Sequence, residues 1–445
     1  MNKTFKGSLL VVMILVASMM MFGCGSSSSS SGGGGGTPAA TTYSGTLYMA
    51  SESGGHVGVF PITIDPSKAN PITVNTASVG RIQLKGQWSN PATKIYLHDV
   101  RLDGNKLYYS SFFTGPTNTT GESTAHIGYV DLTTALTNGT TNQANDSTTH
   151  IDAAAADTIA FALNAMGVGS GLRAIYCASG QSPTHYFPMS MSFPAYVDVF
   201  AKSDLVTAGT KTALTRVYIN QIDGDAAGWT RVGAGDLGTP PLAFIHGATN
   251  KAGTKMYMAT NVVAGLSTTT NLAGIFRTYL VNTADIVANG TTPFAPSMVI
   301  SKATHTVAPS LASIAYRASF SSDATEKYIL QAGSDRLLIL NSNDLSVYVD
   351  THATNTTGTV LGGGLTGIDN HDAMTTPDGK YAILSLRYKE SAGAKVSSGI
   401  QLYDIVNKKF IGGIASTCGA DATNCHVAAG DTKDRNMCGI VTKWN

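Results

Sequence analysis

Four stretches of this chain repeat one short pattern, in which a histidine opens an apolar segment that turns at a basic residue into a second one. They are His98 in IYLHDVRLDGNKLYYSS, His246 in AFIHGATNKAGTKMYMAT, His371 in DNHDAMTTPDGKYAILS and His426 in NCHVAAGDTKDRNMCGIV. In the last three the basic residue (Lys255, Lys380, Arg435) stands nine positions after the histidine; in the first, Lys106 comes one position sooner. Units this small cannot each bury a core, so they must stack or close on one another. If they close into a ring, equivalent positions converge on its axis.

Two weaker copies join these four. AIYCASGQSPTHYFPMSMS aligns with the His246 copy without a gap and places Tyr176 where His246 stands. IAYRASFSSDATEKYILQA, around Arg317, keeps the spacing to Lys327 and Tyr328 but has no histidine. Each of the first five copies is followed by a third apolar segment, such as HIGYVDLTT, AYVDVFAKSD, RLLILNSND or GIQLYDIVN, and often by a fourth, such as TRVYINQI or KKFIGGI. The segments are short, rich in Val, Ile, Tyr and Leu, and bounded by turn residues, which reads as strand throughout. The exception is the Ala-rich run Asp152 to Met166, which predicts a short helix inserted in a loop. Four strands per unit, with TPDG-type turns between the first and second, is the layout of a propeller blade.

The ends of the chain fit the same plan. GTLYMASESGGHVGVFPITID has the character of second and third strands, and the segment after His426 supplies a first and a second. A blade shared by both termini would close the ring and remove two exposed edges. The expected fold is therefore all-β, a six- or seven-bladed β-propeller over residues 43–445 with the termini sharing the closing blade.

Ahead of this domain, Lys3, Lys6 and the apolar run Leu9 to Val16 form a targeting segment, too short for an ordinary membrane span. It leads into Met21-Phe22-Gly23-Cys24, followed by Ser26 to Ser31 and Gly32 to Gly36, a flexible tether with nothing to pack. The segment resembles a bacterial lipoprotein signal. That resemblance implies a signal peptide over 1–23, lipidation at Cys24, a tether over 24–42 and a chain anchored to a membrane of the cell envelope. Gly25, rather than an aspartate, after Cys24 implies the outer membrane, at its periplasmic or external face. Charged residues make up only 13% of the chain and the net charge is +1, so there is no basic stripe for a nucleic-acid partner.

HDAMTTPDGKYAIL, HGATNKAGTKMYMAT and strands such as GIQLYDI resemble the YVTN-type and nitrous-oxide-reductase-like β-propellers. The resemblance specifies fold better than activity. By analogy with the copper cluster of the reductases, His98, His246, His371 and His426 become candidate ligands for copper or another transition metal. Asp99 and Asp372 would then orient imidazoles from outside. Nitrous oxide reduction itself is not expected, since four modules offer fewer histidines than that cluster draws on. A first-strand histidine can equally lock one blade to the next.

There is no CxxCH, which excludes a c-type haem, and no GxSxG elbow. Of Cys177, Cys418, Cys425 and Cys438, the pair Cys418–Cys425 is favoured for a disulfide in an exported chain, with Cys425–Cys438 as the alternative. The leading expectation is a binding scaffold that offers one channel mouth to a small molecule or protein, ahead of catalysis; the second is a metal-dependent redox protein using the four histidines.

Overall fold

In a computed structural model the repeat closes into a ring of six blades. The residues described are 41–51, 56–75, 78–84, 97–111, 125–133, 141–144, 149–151, 176–190, 195–206, 213–224, 242–263, 272–289, 293–306, 315–333, 335–354, 360–364, 368–389, 396–417 and 437–445. The first blade takes β1 (Tyr43–Ser51), β2 (His56–Ile64), β3 (Ile72–Val74) and β4 (Gly80–Leu84) from the N-terminal region. The second takes β5 (Leu97–Asp103), β6 (Lys106–Ser111), β7 (Ala125–Asp131) and β9 (Thr149–Ile151), and sends β8 (Thr141–Ala144) out to pair in parallel with β4. Blade three is β10 (Tyr176–Gln181), β11 (His185–Ser190), β12 (Tyr196–Ala201) and β13 (Thr215–Tyr218). Blade four is β14 (Leu242–Thr249), β15 (Lys255–Val263), β16 (Leu272–Asn282) and β17 (Val299–Thr306). Blade five is β18 (Ala315–Phe320), β19 (Tyr328–Gly333), β20 (Arg336–Asn341) and β21 (Val347–Asp350); blade six is β22 (Asp369–Thr375), β23 (Tyr381–Lys389), β24 (Val396–Asp404) and β25 (Lys409–Ser416). The C-terminal β26 (Met437–Trp444) then pairs with β1 and becomes the innermost strand of the first blade.

The termini therefore share the closing blade, and the blade count is six. One detail corrects the sequence reading. The C-terminal end contributes a single described strand, and its residues, read above as a second strand, occupy the first position. The second position is filled by β1. His426, Cys418, Cys425, Cys24 and the helix expected over Asp152 to Met166 lie outside the described residues.

Alternation along each strand divides the apolar side chains between two faces, so the core is a set of layers between neighbouring blades. Blades three and four meet through Phe187, Met189, Val197, Val217, Ile245, Met256 and Met258. Blades six and one meet through Ile383, Ile400 and Leu402 against Leu47, Met49, Phe60 and Ile440. Each such side chain, fully buried, contributes about 1.5–3 kcal/mol. The TPDG turn works as its composition predicts: Gly379 has φ +71°, and a Cβ there would stand 2.9 Å from Asp323 of the preceding blade. Tyr43 of the closing blade donates to Asp378 of the same turn at 2.8 Å. Among the described residues, no helix is long and apolar enough to cross a membrane.

Candidate functional site

The six inner strands pack side by side around the axis in the order β26, β5, β10, β14, β18, β22, and back to β26. Each pairs with its neighbour through a register shift near its start: at Leu97/Asp99, Tyr176/Ala178, Ala243/Ile245, Ala315/Ala318, Asn370/Asp372 and, opposite Met49/Ser51, in β26. Such bulges re-aim side chains. His98, Cys177 and His371 occupy the shifts of their strands, whereas His246 lies beyond its own. The residue of the third blade that corresponds to His98 is therefore Cys177, whereas the ungapped match to the His246 copy singles out Tyr176. In the closing blade Cys438 stands near the same level.

Of the four candidate histidines, the three that are described, His98, His246 and His371, are brought together, but around a guanidinium. Arg317, fully buried, reaches from the fifth blade across the axis to the second. Its Nη2 donates to His98 Nδ1 at 2.9 Å and faces Cys177 Sγ at 3.7 Å, while its Nη1 approaches His371 Nδ1 and the His371 carbonyl at 3.4 Å. Cys177 Sγ lies 2.9 Å from His98 Nδ1. Burial opposes the charge of Arg317, but Cys177, Cys438, Asp99 and Asp372 more than offset that and hold its pKa above the ordinary arginine value. Cys177 and Cys438 are buried, while Cys418 and Cys425, the other members of both expected pairings, lie outside the described residues.

Charge on the imidazoles is disfavoured. His371 is pulled down to about 4, first by burial and then by Arg387, against the opposing influence of Asp369. With Nδ1 facing Arg317, its Nε2–H donates to Asp369 at 2.7 Å, and Arg387 donates to the same oxygen at 2.9 Å. Burial opposes the charge of Asp369, yet the His371 ring and Arg387 hold its carboxyl well below the usual carboxylate range. His246 is held far below the ordinary histidine value by burial, then by Arg317, His98 and His371. Both its ring nitrogens are buried without a formed hydrogen bond, and its ring meets Tyr316 edge-on, which stacks in turn on His371 at 4.2 Å.

Asp99 and Asp372, expected to orient imidazoles, instead face the arginines of the axis. Asp99 accepts from Ser179 at 2.6 Å and pairs with Arg101 at 3.2 Å and with Arg317 at 3.6 Å. Asp372 accepts from the backbone of Ile440 at 2.9 Å and faces Arg101 Nη1 at 3.7 Å. Burial, reinforced by Asp99, raises Asp372 to about 6, although Arg101 and Arg317 favour its ionised form. The carboxylate that orients an imidazole is Asp369. Among the described residues no three His, Cys, Asp or Glu side chains are grouped so as to hold a metal ion. At the point where His98 and His371 converge, a fixed positive charge competes with any metal cation.

Above this plug the channel opens at the far ends of the inner strands into a funnel of about 460 Å³. Every blade contributes to it: Ile440, Val441, Thr442 and Trp444 from the first, Arg101 and Leu102 from the second, Gln181 from the third. Ala248 and Thr249 come from the fourth, Ser319 and Phe320 from the fifth, and Met374 and Pro377 from the sixth. The wall is tied blade to blade. Gln181 donates to the Leu102 carbonyl at 2.8 Å, Thr249 to the Gln181 carbonyl at 2.7 Å, and Ser319 to the Ala373 carbonyl at 2.6 Å. This mouth lies away from the histidine repeat, which marks the starts of the inner strands. The signal available was the polar or bulky residue closing each inner strand, which has no common identity to align.

The described residues define a six-bladed β-propeller with Arg317 on its axis and a funnel at the far ends of its inner strands. The sequence matches no protein-family profile and no curated protein. Among solved structures, it is similar to a protein of unknown function from Bacteroides caccae, at 8% identity and a TM-score of 0.42, with 89% of this chain and 98% of that one covered. It is also similar to the β-propeller domain of Myceliophteria thermophila Cps50 (Swd1), at 9% identity and a TM-score of 0.30, covering 72% and 85%.

Proposed function

We propose that the chain is an exported, lipid-anchored propeller that binds a small molecule in the funnel at the open mouth of its channel. The observation that carries this reading is the funnel itself, a preformed concavity lined from all six blades, with Arg101, 13% exposed, in its wall. Preformed, mostly apolar concavities with a few placed polar groups are the usual form of ligand sites. The anchor and envelope location rest on the signal-like segment and Cys24; replacing Cys24 with Ala is expected to release the protein from the membrane fraction. Neither part of the reading requires catalysis. A metal-dependent redox role draws less support, since Arg317 occupies the point on which the histidines converge.

The test is a thermal-shift screen of the purified chain against a small-molecule collection, with Ser319→Trp as the filled-funnel control. A ligand present at about 100 times its Kd stabilises the native state by ~2.7 kcal/mol, which such a scan resolves. Compounds that raise Tm in the native chain and lose the effect in Ser319→Trp support the reading. A collection without such compounds, or ones indifferent to the substitution, counts against it.

A further inference from the structure

Arg101 is the one guanidinium of the axial network that lines the funnel, and its donors are unevenly satisfied. Its Nε donates to the Ser179 carbonyl at 3.0 Å. Its Nη2 lies 3.2 Å from Asp99 Oδ1, close enough to pair but without hydrogen-bond geometry. Its Nη1 is 3.7 Å from Asp372 Oδ2, beyond hydrogen-bond range. An arginine held by its neighbours through Nε and Nη2 presents its Nη1 edge to an incoming acceptor. The hydroxyls around it do not compete, because Ser319 and Thr249 already donate to carbonyls. Beside this edge stand Leu102, Phe320, Met374 and Trp444, which give the wall an apolar character.

From this arrangement we propose that the funnel takes a small monocarboxylate with an apolar or aromatic body, its carboxylate on the free edge of Arg101 and its body against Phe320 and Trp444. The inference rests on the funnel being the binding site. Lys251 and Glu326 also line the funnel, as opposite charges that offset each other, and the Arg101 donor beside the apolar wall of Phe320, Met374 and Trp444 matches one carboxylate with an apolar body. A phosphate dianion fits poorly, because Asp99 and Asp372 stand behind the guanidinium and repel a second negative charge. The same two carboxylates restrain the affinity for a monoanion, and Asp372, nearer to Nη1, is the one to relieve. Burial, which raises its pKa, shows that its charge is already costly in that place.

The experiment compares phenylacetate with phenylacetamide by calorimetric titration at pH 7.5, on the native chain, Arg101→Gln and Asp372→Asn. The acid and the amide share shape and differ in charge. The native chain is expected to favour the acid by about tenfold, the scale of one charge-assisted pairing over a neutral one. Arg101→Gln should abolish that preference. Asp372→Asn keeps the shape of the side chain and removes one negative charge, so it should tighten phenylacetate by about tenfold more and leave the amide unchanged. This second variant remains informative if Arg101→Gln fails to fold. Equal binding of acid and amide by the native chain, or indifference of the acid to Asp372→Asn, overturns the carboxylate assignment while leaving the funnel as the site. Failure of both probes to bind, or binding that survives Ser319→Trp, overturns the assignment together with the site.

Discussion

At the start of the inner strands Arg317 fills the axis between His98, Cys177 and His371, and the imidazoles of His98, His246 and His371 are buried. Three residues along the same strand from His98, ~10 Å further on, Arg101 borders an open funnel and leaves a donor edge uncommitted. Both ends are built from the same six strands. They differ in how the arginine is surrounded. Arg317 is enclosed by ring nitrogens, sulfur and Asp99 on every side, and a buried charge that is fully surrounded acts as a structural pin. Arg101 is enclosed on one side only, and that asymmetry is what gives the open end something to offer a ligand.

The largest expected effect separates the two arginines by stability. Arg317→Leu leaves Asp99 and Asp372 with less positive charge in a buried setting, and breaking a buried pair in this way costs about 3–5 kcal/mol. Arg101→Gln, at a position that borders the funnel, should cost less, about 1.5–3 kcal/mol, the range for a hydrogen bond to a charged group. Urea unfolding of both variants measures the difference, and equal losses would break the distinction drawn between the two ends.

A smaller effect lies in the pH dependence. Asp372 has its folded-state pKa raised to about 6 from 3.8, so its contribution is full below pH 3.8 and is lost as pH rises through 6. His371 is lowered to about 4 from 6.5, so its contribution is full above pH 6.5 and is lost as pH falls through 4. The two slopes oppose each other over one window. Asp372→Asn removes the first and leaves the second. Relative to the native chain, the variant should lose on the order of 2–3 kcal/mol more stability between pH 6.5 and 4. Parallel stability profiles for the two proteins would show that these groups are not coupled to folding as described.

How far the sequence reached follows the same division. The four-strand period, the TPDG turn and the shared closing blade were legible because alternation and turn chemistry are local, and Gly379 needs its positive φ whatever surrounds it. The meeting of His98, His246 and His371 was legible as well, since equivalent strands of a closed ring must share an axis. What occupies the middle of that meeting was not. Arg317 stood in a copy marked only by its missing histidine, and Cys177 was hidden by a bulge that shifts the strand by one residue. Asp99 and Asp372 were found as axial carboxylates but assigned to imidazoles, because adjacency in sequence says nothing about which long side chain crosses the channel. The funnel has no repeated residue at all. Its shape comes from six different strand ends, and only the assembled ring brings them together.

Which end of the channel receives a ligand is tested most directly by a crystal structure of the chain soaked with phenylacetate. The predicted result is one molecule in the funnel with its carboxylate on Arg101 Nη1 and its ring against Phe320 and Trp444, while Arg317 remains between His98 and His371. A molecule, or a metal ion, seated among the histidines with Arg317 displaced would contradict it.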